Sequence, residues 1–227
     1  MIENHPSIEI EKFANDVKSA LLMNSEVEVL QNMGEIGELT TFSKAVMHVA
    51  VVSVYINEDS YRSQSDRATI TKAIYAVLTE HPKSKDIFSF GSYIVAVFDT
   101  PFKSDIDATL DSVGKVTAVF NLVNKIYGQS MHSNLVSGIG MNYGKALLVK
   151  SLEGDIPQFV WSGDAIDAAK ALSEQASSEN KVHASFTIFN NLKEDYQKLF
   201  KKAGLFDEYY EATPVNIIMN KWINANV

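Results

Sequence analysis

Apolar residues recur along this chain in two rhythms, and the way the rhythms alternate predicts the order of its elements. Val46 to Ile56 is almost continuously apolar and rich in valine, the pattern of a central strand covered on at least one face. A polar turn, Asn57-Glu58-Asp59-Ser60-Tyr61-Arg62-Ser63, follows it, and Ile70, Ile74, Val77 and Leu78 then mark a helix that stops at His81-Pro82. Ile87 to Phe90 and Tyr93 to Phe98 read as short strands about Gly91-Ser92, where glycine supplies the positive φ of a tight hairpin. A long helix capped by Ser104 carries Ile106, Leu110, Val113, Val116, Phe120 and Val123 on one side and ends near Gly128. Leu135 to Tyr143 and Lys145 to Val149 predict a further hairpin, turning at Asn142-Tyr143-Gly144.

Residues 46–143 therefore run strand, helix, strand, strand, helix, strand. This is a ferredoxin-like βαββαβ unit, and the fold class is mixed α/β, of the α+β kind. Ahead of it, Pro6 with Ile10, Phe13, Val17 and Leu21 describes an amphipathic helix, and Met33 to Thr41 reads as a loop. Behind it come a strand at Phe159 to Ser162 and a small-residue helix holding Ala165, Ala168, Ala169 and Leu172, with Asp164 as its N-cap. The tail reads as a strand near Val182, a helical stretch from Thr187 to Lys202, a strand near Tyr209 to Thr213, and a terminal stretch holding Trp222. The expected organisation is an N-terminal helical extension over 1–43, one domain over 44–190, and a C-terminal extension over 191–227 packed on the same domain.

Composition narrows the partners. With 227 residues and 46% hydrophobic content the chain buries a substantial core, and its net charge of −8 disfavours a surface that tracks nucleic acid. A small nucleotide needs only one local site. There is no cysteine, which excludes disulfides and thiolate metal sites and fits a cytoplasmic setting. The longest apolar run, Ala45 to Ile56, falls short of the ~20 residues that span a bilayer, so no membrane partner is expected. His5, His48, His81, His132 and His183 show no paired metal spacing, and neither a Walker loop nor a serine nucleophile elbow is present.

The succession Val51-Val52-Ser53-Val54-Tyr55-Ile56, Phe90-Gly91-Ser92-Tyr93, Gly138-Ile139-Gly140-Met141-Asn142-Tyr143-Gly144 and Gly163-Asp164-Ala165-Ile166-Asp167-Ala168-Ala169 resembles the class III nucleotidyl cyclases. The resemblance covers about residues 44 to 190. The phrase Tyr143 to Lys150 and the ending Asn216 to Ile223 look most like the pyrimidine cyclases of bacterial anti-phage defence. What this implies is a palm domain in a head-to-tail homodimer. Two nucleotide sites would lie at its interface, turning a nucleoside triphosphate into a 3′,5′-cyclic monophosphate and pyrophosphate. Two aspartates would hold two divalent metals, one activating the 3′-hydroxyl and the other neutralising the triphosphate.

On this chain those positions carry other residues. The first metal position falls on Asn57 (Tyr55 in the alternative register) and the second on Ser92. Neutral oxygens do not offset the charge of Mg²⁺ as carboxylates do. The transition-state asparagine falls on Asp167 and the arginine on Ala171; Lys170 points about 100° away on a helix. Phe88 and Val160 stand where a purine would be read, with Trp161 beside them as a further candidate to stack a base. Each has a plainer reading: Asn57 and Ser92 as turn residues, and Phe88, Phe90 and Trp161 as packing.

The expectation is a nucleotidyl cyclase-like protein with a degenerate site. It would act as a dimeric nucleotide-binding or interaction module in signalling or phage defence, with a homodimer copy, a nucleoside triphosphate and an effector protein as partners and no cofactor. The alternative is an active cyclase, its Mg²⁺ or Mn²⁺ held by Glu58 or Asp59, making cCMP, cUMP, cAMP or cGMP. A structural subunit paired with an intact cyclase comes third.

Overall fold

The computed structural model describes residues 27–39, 43–129, 134–153, 156–204 and 208–227, with the backbone alone at 151–153 and 156–157. The helix expected between Pro6 and Leu21 lies outside the described residues. In chain order the strands are β1 (Glu28–Val29), β2 (Lys44–Ile56), β3 (Ser84–Phe90), β4 (Tyr93–Phe98), β5 (Ser137–Glu153), β6 (Ile156–Ser162), β7 (Val182–Ser185), β8 (Lys201–Lys202) and β9 (Tyr209–Ala212). The helices are α1 (Gln64–Thr79), α2 (Lys103–Gln129), α3 (Asp164–Ser177), α4 (Phe186–Asn191), α5 (Glu194–Gln197) and α6 (Ile217–Asn226).

β2 is the axis of the sheet, antiparallel to β4 on one side and to β5 on the other. With β3 outside β4 the order is β3-β4-β2-β5, the arrangement expected of the βαββαβ unit. β7 then joins β5 in parallel, and β9 and β8 extend that edge. The near-continuous apolar run of β2 follows from burial on both faces. Ala50, Val52, Val54 and Ile56 face a core closed by Ile70 and Ile74 of α1 and by Leu110 and Val113 of α2. Ala45, Met47, Val49 and Val51 face a second core, closed by Ala165, Ile166 and Ala169 of α3 and by Met33 and Leu39.

α3 lies in backbone contact with β5. A Cβ on Gly140 would meet the Ala169 carbonyl oxygen at 2.0 Å, and one on Gly138 would meet the Ser173 carbonyl oxygen at 2.2 Å. Glycine on the strand and alanine on the helix thus set the separation, and a buried Ser53–Ser173 hydroxyl pair at 3.0 Å closes the gap. The small residues of α3 serve a close approach within the chain.

Several local expectations are corrected. β5 is one uninterrupted strand, so the hairpin at Asn142-Tyr143-Gly144 does not form; those residues pair with Val51, Ala50 and Val49. The ladder offered by β2 overrides the turn signal, and a Cβ at Gly144 would meet Ala165 at an ordinary 3.6 Å. The cap of α3 is Gly163 at φ +108°, not Asp164, which is the first helical residue. Ser104 falls inside α2, and the Phe102 N–H is taken by Asp105 at 3.1 Å. The helix expected over 187–202 breaks into α4, α5 and β8. Buried Leu192 interrupts it, and the Lys193 N–H bonds the Asp107 carboxylate at 3.0 Å rather than a preceding turn. Met33–Glu38 forms a 3-10 helix within the expected loop. The terminal stretch around Trp222 is helix α6, capped by Asn216, whose side chain accepts from the Met219 N–H.

Candidate functional site

Strand register brings Asn57 and Ser92 to one place. The Ile56 N–H donates to the Ser92 carbonyl at 2.9 Å, and the Asn57 N–H donates to the Val136 carbonyl at 2.9 Å. Gly91, at φ +55°, turns the β3–β4 hairpin as expected, so Ser92 follows it directly. Asn57 caps a 3-10 turn over Glu58–Ser60, its Oδ1 accepting the Asp59 N–H at 2.8 Å. Tyr55, the alternative first position, lies on the α3 side of the sheet against Tyr93, with ring centroids 5.3 Å apart.

The residues of this corner do not fit a pair of divalent metals. Positions 57 and 92 supply an amide and a hydroxyl, the amide oxygen already holds a backbone N–H, and Glu58 is engaged by Arg67 at 3.3 Å. Asp59 is exposed on the same turn. Among the described residues no three His, Asp or Glu side chains gather into a ligand set.

Arg67 is the residue that sequence reasoning missed. Its guanidinium donates to the Gly91 carbonyl at 2.9 Å, pairs with Glu58, and lies 6.0 Å from the Tyr61 ring centroid. It thereby ties the turn after Asn57 to the turn before Ser92. Beside it a cleft of about 630 Å³ opens between α1 and the β3–β4 hairpin, where Ile56 and Ser92 meet Arg67, Thr71, Lys72 and Tyr75. Burial pushes the Tyr61 phenol up to about 12, so the ring beside Arg67 stays neutral at physiological pH. One signal was available in the sequence: a cation early in a helix opposes the helix dipole and calls for a partner.

The other candidates spread over the α3 side. Asp167 and Ala171 are exposed on α3, the Asp167 side chain 75% so. Lys170 turns onto its own hairpin instead, 5.3 Å from the Phe90 ring centroid and 5.1 Å from that of Tyr93. Tyr93 donates to Glu174 at 3.0 Å, and burial with that carboxylate raises its phenol to about 12. Phe88 is half-buried against the second core, Val160 is exposed, and Trp161 is buried. The Trp161 indole N–H donates to Asp86 at 2.8 Å; burial holds that carboxyl above its ordinary value, against the pull of this hydrogen bond. The three do not line the cleft beside Arg67.

This fold, with the first strand and the hairpin glycine converging on one corner and a small-residue helix across the sheet, is that of the class III nucleotidyl cyclases. Over 224 residues, 91% of this chain and 78% of the relative, the chain is 24% identical to a uridylate cyclase of Treponema porcinum. A class III adenylyl cyclase-like ATP-binding protein from Pseudomonas aeruginosa aligns at TM-score 0.59 and 12% identity, over 95% of this chain and 49% of that one. The guanylate cyclase domain of RhGC from Catenaria anguillulae, in complex with GTP, aligns at TM-score 0.54 and 16% identity, over 74% and 97%. No family model matches. The chain is nucleotidyl cyclase-like, and no described helix is long and apolar enough to cross a membrane.

Proposed function

We propose that the chain is a catalytically degenerate cyclase, a cytoplasmic homodimer that binds a nucleoside triphosphate and acts as a binding or interaction module in signalling or phage defence. One observation carries the reading: the two positions that converge where metals would sit are Asn57 and Ser92, and Glu58, on the turn that Asn57 caps, is paired with Arg67. Two metal ions held there would lack the anionic ligands that offset their charge. Asp167 would place a negative charge where a triphosphate develops more of it, and Ala171 has no donor to stabilise it. The extensions over 1–43 and 191–227 belong to the same reading, and the packing of the C-terminal one on the βαββαβ unit is supported by one contact. Asn216 donates its backbone N–H to the Gly114 carbonyl at 3.0 Å.

The test is incubation of the purified protein with all four ribonucleoside triphosphates and Mn²⁺, followed by mass spectrometry for cyclic products. We expect triphosphate binding and no cyclic nucleotide. The relative named uridylate cyclase favours a second reading, in which the chain cyclises a pyrimidine triphosphate. Accumulation of cUMP or cCMP with pyrophosphate would establish that one instead.

A further inference from the structure

The cleft beside Arg67 is lined by cations and hydroxyls. Along α1, Gln64, Arg67, Ala68, Thr71, Lys72 and Tyr75 form one face at helical spacing, which borders the buried stripe of Ile70, Ile74 and Leu78. Ala68 leaves the middle of that face open. The opposite wall is the hairpin, which contributes the hydroxyls of Ser89 and Ser92. Two cations and no carboxylate line the cleft, in a chain whose net charge is −8.

Arg67 is held at the mouth of this cleft by two anchors, the Gly91 carbonyl and Glu58. A guanidinium carries five N–H donors in a fixed plane, so these two contacts leave donors to present to an anion. Its partners are the residue after Asn57 and the residue before Ser92, so its charge stands between the two turns that a metal pair would have bridged.

We propose that this cleft binds a polyphosphate chain without divalent cations, with Arg67 and Lys72 supplying the neutralisation that metals supply in a two-aspartate site. The proposal deepens the nucleotide-binding reading and rests on it for the nucleoside part of the ligand. The phosphate chemistry is common to a nucleoside triphosphate and inorganic tripolyphosphate, and the experiment separates them.

The full chain is titrated calorimetrically with UTP, CTP, ATP and inorganic tripolyphosphate, first in EDTA and then with Mn²⁺. Binding in EDTA should lie within about threefold of that in Mn²⁺, and Arg67→Gln should weaken it by about tenfold or more, the scale of losing a charge-assisted hydrogen bond. Glu58→Gln, which frees the guanidinium from its anchor, should tighten it, and Lys72→Gln should weaken it. These two exposed positions decide the matter if Arg67→Gln fails to fold. Binding that requires Mn²⁺, no polyphosphate binding in EDTA, or identical affinities in wild type and variants would overturn the proposal. Tripolyphosphate binding in EDTA with no nucleotide binding would support the cleft and remove the nucleotide-binding reading. Nucleotide binding in Mn²⁺ alone would do the reverse.

Discussion

At the scale of single residues, the chemistry of the corner turns on what Asn57 and Ser92 have to offer. Restoring Asn57→Asp and Ser92→Asp together should create measurable Mn²⁺ binding by calorimetry. In EDTA the facing carboxylates should lower stability by about 1 kcal/mol or less, a loss that Mn²⁺ reverses. Catalysis should still require Asp167→Asn with Ala171→Arg. A double variant with no metal affinity would mean that the metal corner is misplaced. Glu211 offers a second test at this scale. Lys201 at 2.8 Å and Lys181 at 3.0 Å hold its carboxyl below the ordinary range. A carboxyl lowered in the folded state contributes stability above its unfolded value, about 4.3, and loses that contribution as pH falls through the folded one. Urea midpoints measured from neutral pH into acid should therefore fall less steeply in Glu211→Gln than in wild type. Counting along motifs singled out Asn57 and Ser92, and strand register makes them neighbours. Arg67 escaped, because α1 was read through its apolar residues alone, and a cation bordering that stripe breaks none of its spacing.

Among the elements, the seam between α3 and β5 is the least forgiving. Gly140→Ala places a methyl group against the Ala169 carbonyl, a backbone atom that cannot swing aside. It should cost about 1–3 kcal/mol or more in chemical denaturation, the range for overpacking a core. Gly144→Ala meets only an ordinary contact and should be nearly neutral by the same measurement. A loss at Gly144 equal to that at Gly140 would contradict this account. The small-residue helix was legible from alanine spacing, as was the hairpin at Gly91. The turn at Asn142-Tyr143-Gly144 was misread, because residue type reports what a turn needs, not whether a neighbouring strand already holds the backbone. The break at Leu192 was equally hidden, since it depends on Asp107 far away in sequence.

For the molecule as a whole, the proposed assembly makes a direct prediction. Light scattering at high micromolar concentration should give a dimer, with the face carrying Asp167 and Ala171 available to a second copy. A monomer under those conditions would remove the homodimer from the reading. The βαββαβ order was legible because β2 and β4 are compact apolar runs and each helix carries an apolar stripe. The way β7 and β9 extend the sheet was not, since short strands pair by tertiary position. The continuous ladder between β2 and β5 also has a kinetic consequence. It joins residues roughly eighty to a hundred positions apart, so the chain must close a long loop before the sheet gains its central pairing, which places refolding in the slow, millisecond-to-second regime of non-local topologies. Until that closure, the valine-rich β2 has no partner on its β5 side. A chain still being synthesised carries this aggregation-prone edge until β5 has emerged.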